Sequence, residues 1–305
     1  MSPAAILDRQ CAHEAPARGR TCDHARHVPI VPMRAQGMTV YGADGRVYLD
    51  CVAGAGTLAL GHNHPAVVEA VRRVLDSGAP LHPVDPATPI RNEFTETLLS
   101  VLPPALAENA RIHSCGSSAT EHVRTLLGVP DALIADETLT GLGRTGELWD
   151  VDHTGVTPDA MILPNAIGGG LPLAVIAYRA GLDQWIEGAH PDCGHGHQLA
   201  MAAGTATIKY VVEHDLTTHA RKVGERIRTA FEEAADDLPA LGEVRGRGLL
   251  LDLDLVDPGG AQDSLGARAA APALARAVRA ASPGHQLGIA VSPRSEEQGS
   301  VPGWW

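Results

Sequence analysis

The chain has 305 residues, 44% of them hydrophobic but only 3% aromatic, with a formal net charge of −12. That length suffices for one large domain or two smaller ones, whose core has to come from Ala, Val, Leu and Ile because Phe94 and Phe231 are the only phenylalanines. Basic residues are scattered through an acidic chain, which excludes the basic patch of a non-specific nucleic-acid binder, and no apolar run reaches the roughly 18 residues of a membrane span. Five cysteines without a charged-then-apolar leader point to a reduced cytoplasm.

Residues 1–33, rich in His, Cys and Arg without periodicity, read as an irregular arm. "MTVYGADGRVYLDC" reads as a β-hairpin whose Asp44-Gly45 pair suits a two-residue turn. In "GHNHPAVVEAVRRVLDSG", Pro65 opens a helix and Gly78 ends it, with Val67, Val68, Val71, Val74 and Leu75 on an apolar face. A second helix through "NEFTETLLSVL" stops at Pro103-Pro104, and the strand "ARIHSC" leads into "GSSATEHVRTLL". A strand, a small-residue loop and a helix in that order offer free backbone N–H groups to an anion.

"DALIADE" is a strand ending in two carboxylates, and "PDAMILPNAIGGGLPLAVIAYR" gives a strand, a triple-glycine turn and another strand. Helices follow over 198–213 and 216–236, the second with Val223, Ile227, Ala230, Phe231 and Ala234 at helical spacing. "GRGLLLDLDLVDP" reads as one alternating strand, and 265–281 as an Ala-rich helix before a polar tail. Strands alternating with helices predict an α/β protein, with a mainly parallel sheet and helices on both faces.

Five separated segments, "DGRVYLDCVAGAGTLALGHNHPAVVEAV", "CGSSATE", "ADETLTGLGRTGELW", "PDAMILPNAIGGGLPLA" and "VRGRGLLLDLDLVDP", resemble class III aminotransferases over residues 34–258, the first half being most similar to diaminobutyrate aminotransferases. The resemblance implies a pyridoxal phosphate enzyme of fold type I, with a large domain over 34–215 and a remnant of the small C-terminal domain over 216–305. It implies that Ser118, Ala119 and Thr120, followed by Glu121, face the cofactor phosphate, Ala119 standing where glycine is usual. Asp136 matches the carboxylate that keeps the pyridinium nitrogen protonated, and Leu139 replaces a polar residue beside the ring. Cys193 stands where the family has the threonine that reaches a neighbouring subunit's phosphate.

The family's Schiff-base lysine is replaced by Asn165, whose amide neither forms an imine nor acts as a base near neutral pH. The only lysines are Lys209 and Lys222, in the late helices. Relatives carry a block with a ring-stacking aromatic residue between the phosphate loop and the Asp-Glu strand; the chain is shortened there, between 127 and 132. No catalytic residue is therefore assigned, and the expectation is a homologue unable to transaminate, a homodimer or a heterodimer with an intact aminotransferase. Two alternatives stay open. One is residual pyridoxal phosphate chemistry on diaminobutyrate-like amines. The other is new chemistry at a zinc or haem site built from Cys193, His195 and His197, with Cys22, His24 and His27 as further soft ligands.

Overall fold

The computed structural model describes residues 31–83, 86–115, 132–182, 197–236, 238, 241–255 and 286–287. These fall into two compact units, one holding 31–55, 61–63, 255 and 286–287, the other 56–60 and 64–254. The predicted helix over 265–281 and the arm before residue 31 lie outside the described residues.

The first unit is a four-stranded sheet in the order β1-β2-β3-β10: β1 Pro32–Gln36, β2 Thr39–Gly42, β3 Val47–Leu49 and β10 Gln286–Leu287. The predicted hairpin is β2–β3, with Val40 opposite Tyr48. Its turn has three residues rather than two. Gly42 N–H donates to Arg46 O at 2.9 Å and Gly45 N–H to Gly42 O at 3.1 Å, so the Asp44-Gly45 pair closes a type I turn with Gly45 at φ +77° as the bulge. Asp44 locks this form by accepting from the Tyr48 hydroxyl (2.6 Å) and Arg46 N–H (3.1 Å). Nearby, His62 Nε2 lies 2.6 Å from Asp50 Oδ2, while Asp50 Oδ1 accepts from the N–H groups of Val52 and Ala53.

The second unit holds a sheet of order β4-β7-β6-β5, formed by β4 Ala110–Cys115, β5 Ile134–Asp136, β6 Ala160–Leu163 and β7 Ala174–Arg179. β5 pairs parallel with β6, and β7 is antiparallel to both β6 and β4. Three strands thus share one direction and β7 opposes them, making the sheet mixed where the sequence predicts a mainly parallel one. β6 and β7 are almost wholly buried, which explains their unbroken apolar runs.

Helix α1, Pro65–Ser77, keeps its predicted limits, but its buried residues are Ala70 and Val74, and Leu75 is 51% exposed. α2, Pro89–Leu99, starts earlier than predicted because Thr88 caps it: the Thr88 hydroxyl accepts from Arg91 N–H at 3.1 Å and Pro89 fills the first turn. A short turn of helix, α3 (Pro104–Ala107), precedes β4. α4, Gln198–Glu213, is buried along most of its length, and α5, Leu216–Ala235, buries Ala220 and Gly224 while the predicted stripe residue Ile227 is 37% exposed. "GRGLLLDLDL" is not one strand but a hairpin: β8 Leu241–Arg247 turns through Gly248-Leu249 into β9 Leu250–Leu255.

The core of this unit packs Phe94, Leu98, Leu106, Trp149, Met161, Ile167, Met201 and Ile208. Gly204 lets α4 press on the turn after β6, since a Cβ there would lie 2.6 Å from Ile167 O and 2.8 Å from the Phe94 ring. No helix among the described residues is long and apolar enough to cross a membrane.

Candidate functional site

The strand registers bring two of the predicted residues, Asp136 and Asn165, to one sheet edge. Asp136, the last residue of β5, is level with Ile162 of β6, and Asn165 follows three residues later in the 3₁₀ turn Asn165–Gly168. Leu163 is level with Val175, and Ala174 beside it pairs with Cys115 at the end of β4. The carboxyl ends of β4, β5 and β6 therefore lie together, which is where α/β sheets take their ligands. The chain leaves β4 at this edge toward 116–131, so Ser118, Ala119, Thr120 and Glu121 lie outside the described residues.

Asp136 is exposed, and its Oδ1 accepts from the backbone N–H of Thr138 at 3.0 Å and from the Thr138 hydroxyl. Its Oδ2 has no partner among the described residues and can accept one more donor. Asn165 is half-buried, and its side-chain amide makes no hydrogen bond among the described residues. Neither lysine is turned to the task of a missing amine: Lys209 Nζ is bound to Glu93 at 2.7 Å, and Lys222 is exposed on α5.

Residues that sequence reasoning passed over hold the segment behind Asp136. Glu137 is 1% exposed, its Oε1 accepting from Val151 N–H at 3.0 Å and its Oε2 from the Thr140 hydroxyl. Trp149, also 1% exposed, donates its indole N–H to Val101 O at 2.6 Å. Arg144 sends an Nη2 proton to Gly56 O at 2.9 Å, and burial pushes its guanidinium below its ordinary value. Their signal is a set of polar or bulky residues inside the glycine-rich motif "DETLTGLGRTGELW", beyond Asp136 and Leu139.

The zinc or haem alternative finds no support. Cys22, His24, His27, Cys193 and His195 lie outside the described residues, and His197 is the N-cap of α4, its Nδ1 accepting from Ala200 N–H at 3.2 Å. A ring nitrogen used as a cap acceptor has lost that lone pair to the backbone. Among the described residues no three His, Cys, Asp or Glu side chains cluster as metal ligands.

The chain matches the class-III aminotransferase family over residues 21–126 and 130–291, further at both ends than the 34–258 expected. The break in the match falls at 127–129, next to the shortened segment. The chain is 32% identical to the diaminobutyrate–2-oxoglutarate aminotransferase of Rhizobium meliloti, covering 86% of this chain and 80% of that one. That alignment runs over 381 positions, more than the 305 residues here, so the relative carries residues with no counterpart. The corresponding protein of Haemophilus influenzae is 29% identical, over 90% of this chain and 85% of its own.

Among solved structures, the ornithine delta-aminotransferase of Plasmodium falciparum matches with a TM-score of 0.71 at 19% identity, covering 84% of this chain and 85% of that one. The acetylornithine aminotransferase of Elizabethkingia anophelis gives the same score and identity, over 84% and 86%. With the sheet edge, the motif order and these matches in agreement, the chain belongs to the class-III aminotransferases, a pyridoxal phosphate-dependent family of fold type I.

Proposed function

We propose that the chain is a diverged class-III aminotransferase homologue that does not transaminate by itself and serves as a non-catalytic or repurposed pathway protein. Asn165 carries this reading. It stands in the turn after β6, at the sheet edge where the resemblance expects the amine, and it offers an amide.

The side chains fit the family's cofactor only in part. Pyridoxal phosphate supplies an electron-withdrawing ring for chemistry at an amine-bearing carbon. Asp136, with a free Oδ2, suits the ring nitrogen, and Ser118, Ala119 and Thr120 are the residues that would hold the phosphate, with Cys193 at the position that reaches a neighbouring subunit. Covalent attachment and proton transfer at carbon have no neutral amine to perform them, since Lys209 is ion-paired to Glu93 and Lys222 lies on α5. The interrupted family match at 127–129 and the extra length of the relatives support the loss of the ring-stacking block.

The test is an absorbance spectrum after mixing with pyridoxal phosphate, dialysis and borohydride treatment, alongside an assay of amino transfer from 2,4-diaminobutyrate to 2-oxoglutarate. No covalently fixed cofactor and no transfer is the expected result. Transfer by the purified protein alone would overturn the proposal in favour of residual activity on diaminobutyrate-like amines, the reading favoured by 32% identity to an aminotransferase of that name. A subunit role implies a homodimer or a complex with an intact aminotransferase, which sedimentation of the chain alone and of the mixture distinguishes.

A further inference from the structure

The second unit contains a cavity whose lining includes neither Asp136 nor Asn165 and that the proposed function does not use. Its volume is about 350 Å³, within the range of small-molecule sites, and it is bounded by the 145–153 loop, the middle of α5 and the β8–β9 hairpin. Arg221, Arg228 and Arg247 reach it, against the carboxylates of Glu147 and Glu225. Glu232 adds a third carboxylate, 3.7 Å from Arg228 Nε, so among these three arginines the one with no carboxylate beside it is Arg247.

The carboxylates are already committed. Arg221 Nη2 donates to Glu147 Oε1 and to Gly146 O, both at 2.7 Å, and Arg228 Nη2 grips both oxygens of Glu225 at 2.7 and 2.9 Å. The Arg247 side chain makes no hydrogen bond or ion pair among the described residues, and its fork of five N–H donors is free. His153 Nε2 and Thr145 Oγ1, 3.2 Å apart, add polar groups at the same wall.

Backbone holds the remaining wall rigidly. A Cβ at Gly224 would lie 1.8 Å from Gly248 O, and one at Gly248 would lie 2.4 Å from the carbonyl carbon of Thr145, so α5, the hairpin turn and the loop meet through glycines that cannot shift apart without opening the cavity. The backbone at Gly224, Gly248 and Thr145 is thus closely packed beside Arg247.

We infer that this cavity is a binding site for a small oxyanion, the carboxylate or phosphate group of a metabolite, with Arg247 as its bidentate anchor, since Arg221 and Arg228 are already neutralised by the carboxylates they hold. A planar guanidinium matches both anions with two parallel N–H···O bonds, which is the geometry a free arginine in a pocket offers.

The experiment is calorimetric titration of the full chain with inorganic phosphate and, separately, with succinate, repeated on Arg247→Ala, Arg247→Lys and Thr120→Ala. Arg247→Ala should weaken binding about tenfold or more, the loss of a charge-assisted bond, and Arg247→Lys should restore only part of it. Thr120→Ala removes a residue of the loop to which the family assigns its cofactor phosphate, so a phosphate signal lost in that variant but kept in Arg247→Ala belongs to the loop and not to the cavity. Because the Arg247 side chain has no partner among the described residues, its removal should also leave the melting temperature unchanged. Binding of phosphate alone or of succinate alone supports the site and identifies the group it takes. An affinity equal in wild type and Arg247→Ala, a loss confined to Thr120→Ala, or no binding of either anion overturns it.

Discussion

Replacing Trp149 with phenylalanine removes a bond that ties the end of the 137–149 segment to the turn after α2. The indole donates to Val101 O at 2.6 Å from a position only 1% exposed, so the variant leaves a partly buried carbonyl without its donor, at a cost of about 1–3 kcal/mol. The smaller ring also leaves roughly 40 Å³ unfilled, which at about 24 cal/mol per Å³ adds about 1 kcal/mol. Phe in place of Trp149 should therefore destabilise the unit by roughly 2–4 kcal/mol, since neither term is offset by a new contact. Urea denaturation followed by far-ultraviolet circular dichroism measures this as a lower midpoint at unchanged slope. A loss under about 0.5 kcal/mol would show that Trp149 is not the anchor described, and that the segment behind Asp136 is held by Glu137 and Arg144.

Asn165→Lys should regain a pyridoxal phosphate adduct that borohydride fixes, detected as a mass increase on the tryptic peptide spanning residue 165; absence of label would mean that the missing block, and not the lysine alone, abolishes attachment. Asp50 should make the first unit acid-sensitive. Burial raises its pKa, but hydrogen bonds from His62, Ala53 N–H and Val52 N–H outweigh this and hold the carboxyl below its ordinary value. A carboxylate depressed in the folded state stabilises above its unfolded pKa and loses that contribution as pH falls through the folded value, so Asp50→Asn should flatten the stability profile below about pH 4. A profile unchanged by that substitution would disprove the clamp.

His64 lies edge-on to Tyr210, with ring centroids 4.4 Å apart, and burial together with the charge of His214 holds its pKa below the usual histidine value. Stability should accordingly be full above about pH 6.5 and decline below it until His64 protonates, and His64→Gln should remove that decline in a series of melting temperatures. Gly204→Ala sets a helix-propensity gain of about 1 kcal/mol against a clash with the Ile167 backbone carbonyl. The carbonyl cannot rotate away as a side chain could, so net destabilisation of about 1–2 kcal/mol is expected. A more stable variant in chemical denaturation would show that α4 stands farther from the Asn165 turn.

The parts of the fold legible in the sequence were those set by local signals. α4 has its predicted limits because its end residues and its long apolar run agree, and α1 is bounded by Pro65 and Gly78. The edge formed by Asp136 and Asn165 was legible through motif order, which fixes strand adjacency indirectly. Tertiary choices were not. "GRGLLLDLDL" carries an alternating pattern that continues through its own turn, so nothing local distinguishes a hairpin from one strand. β1 was missed because "PMRAQ" has no apolar alternation; it exists by pairing with β2. The exposure of Leu75 and Ile227 depends on which part of each helix face finds a partner, and Arg247 carries no sequence signal because its importance lies in what its neighbours have already bound.

The short strand β10 couples the beginning of the chain to its far end. Gln286 and Leu287 add in parallel beside Tyr48 and Leu49, so the first sheet stays one strand short until residues 286–287 have been synthesised. On a ribosome this delays completion of the N-terminal sheet past the emergence of every other described element, and closure over so long a separation is entropically slow. Until then β3 presents an open edge, a period in which the nascent chain is vulnerable to pairing with a neighbour's strand or to capture by a holding chaperone.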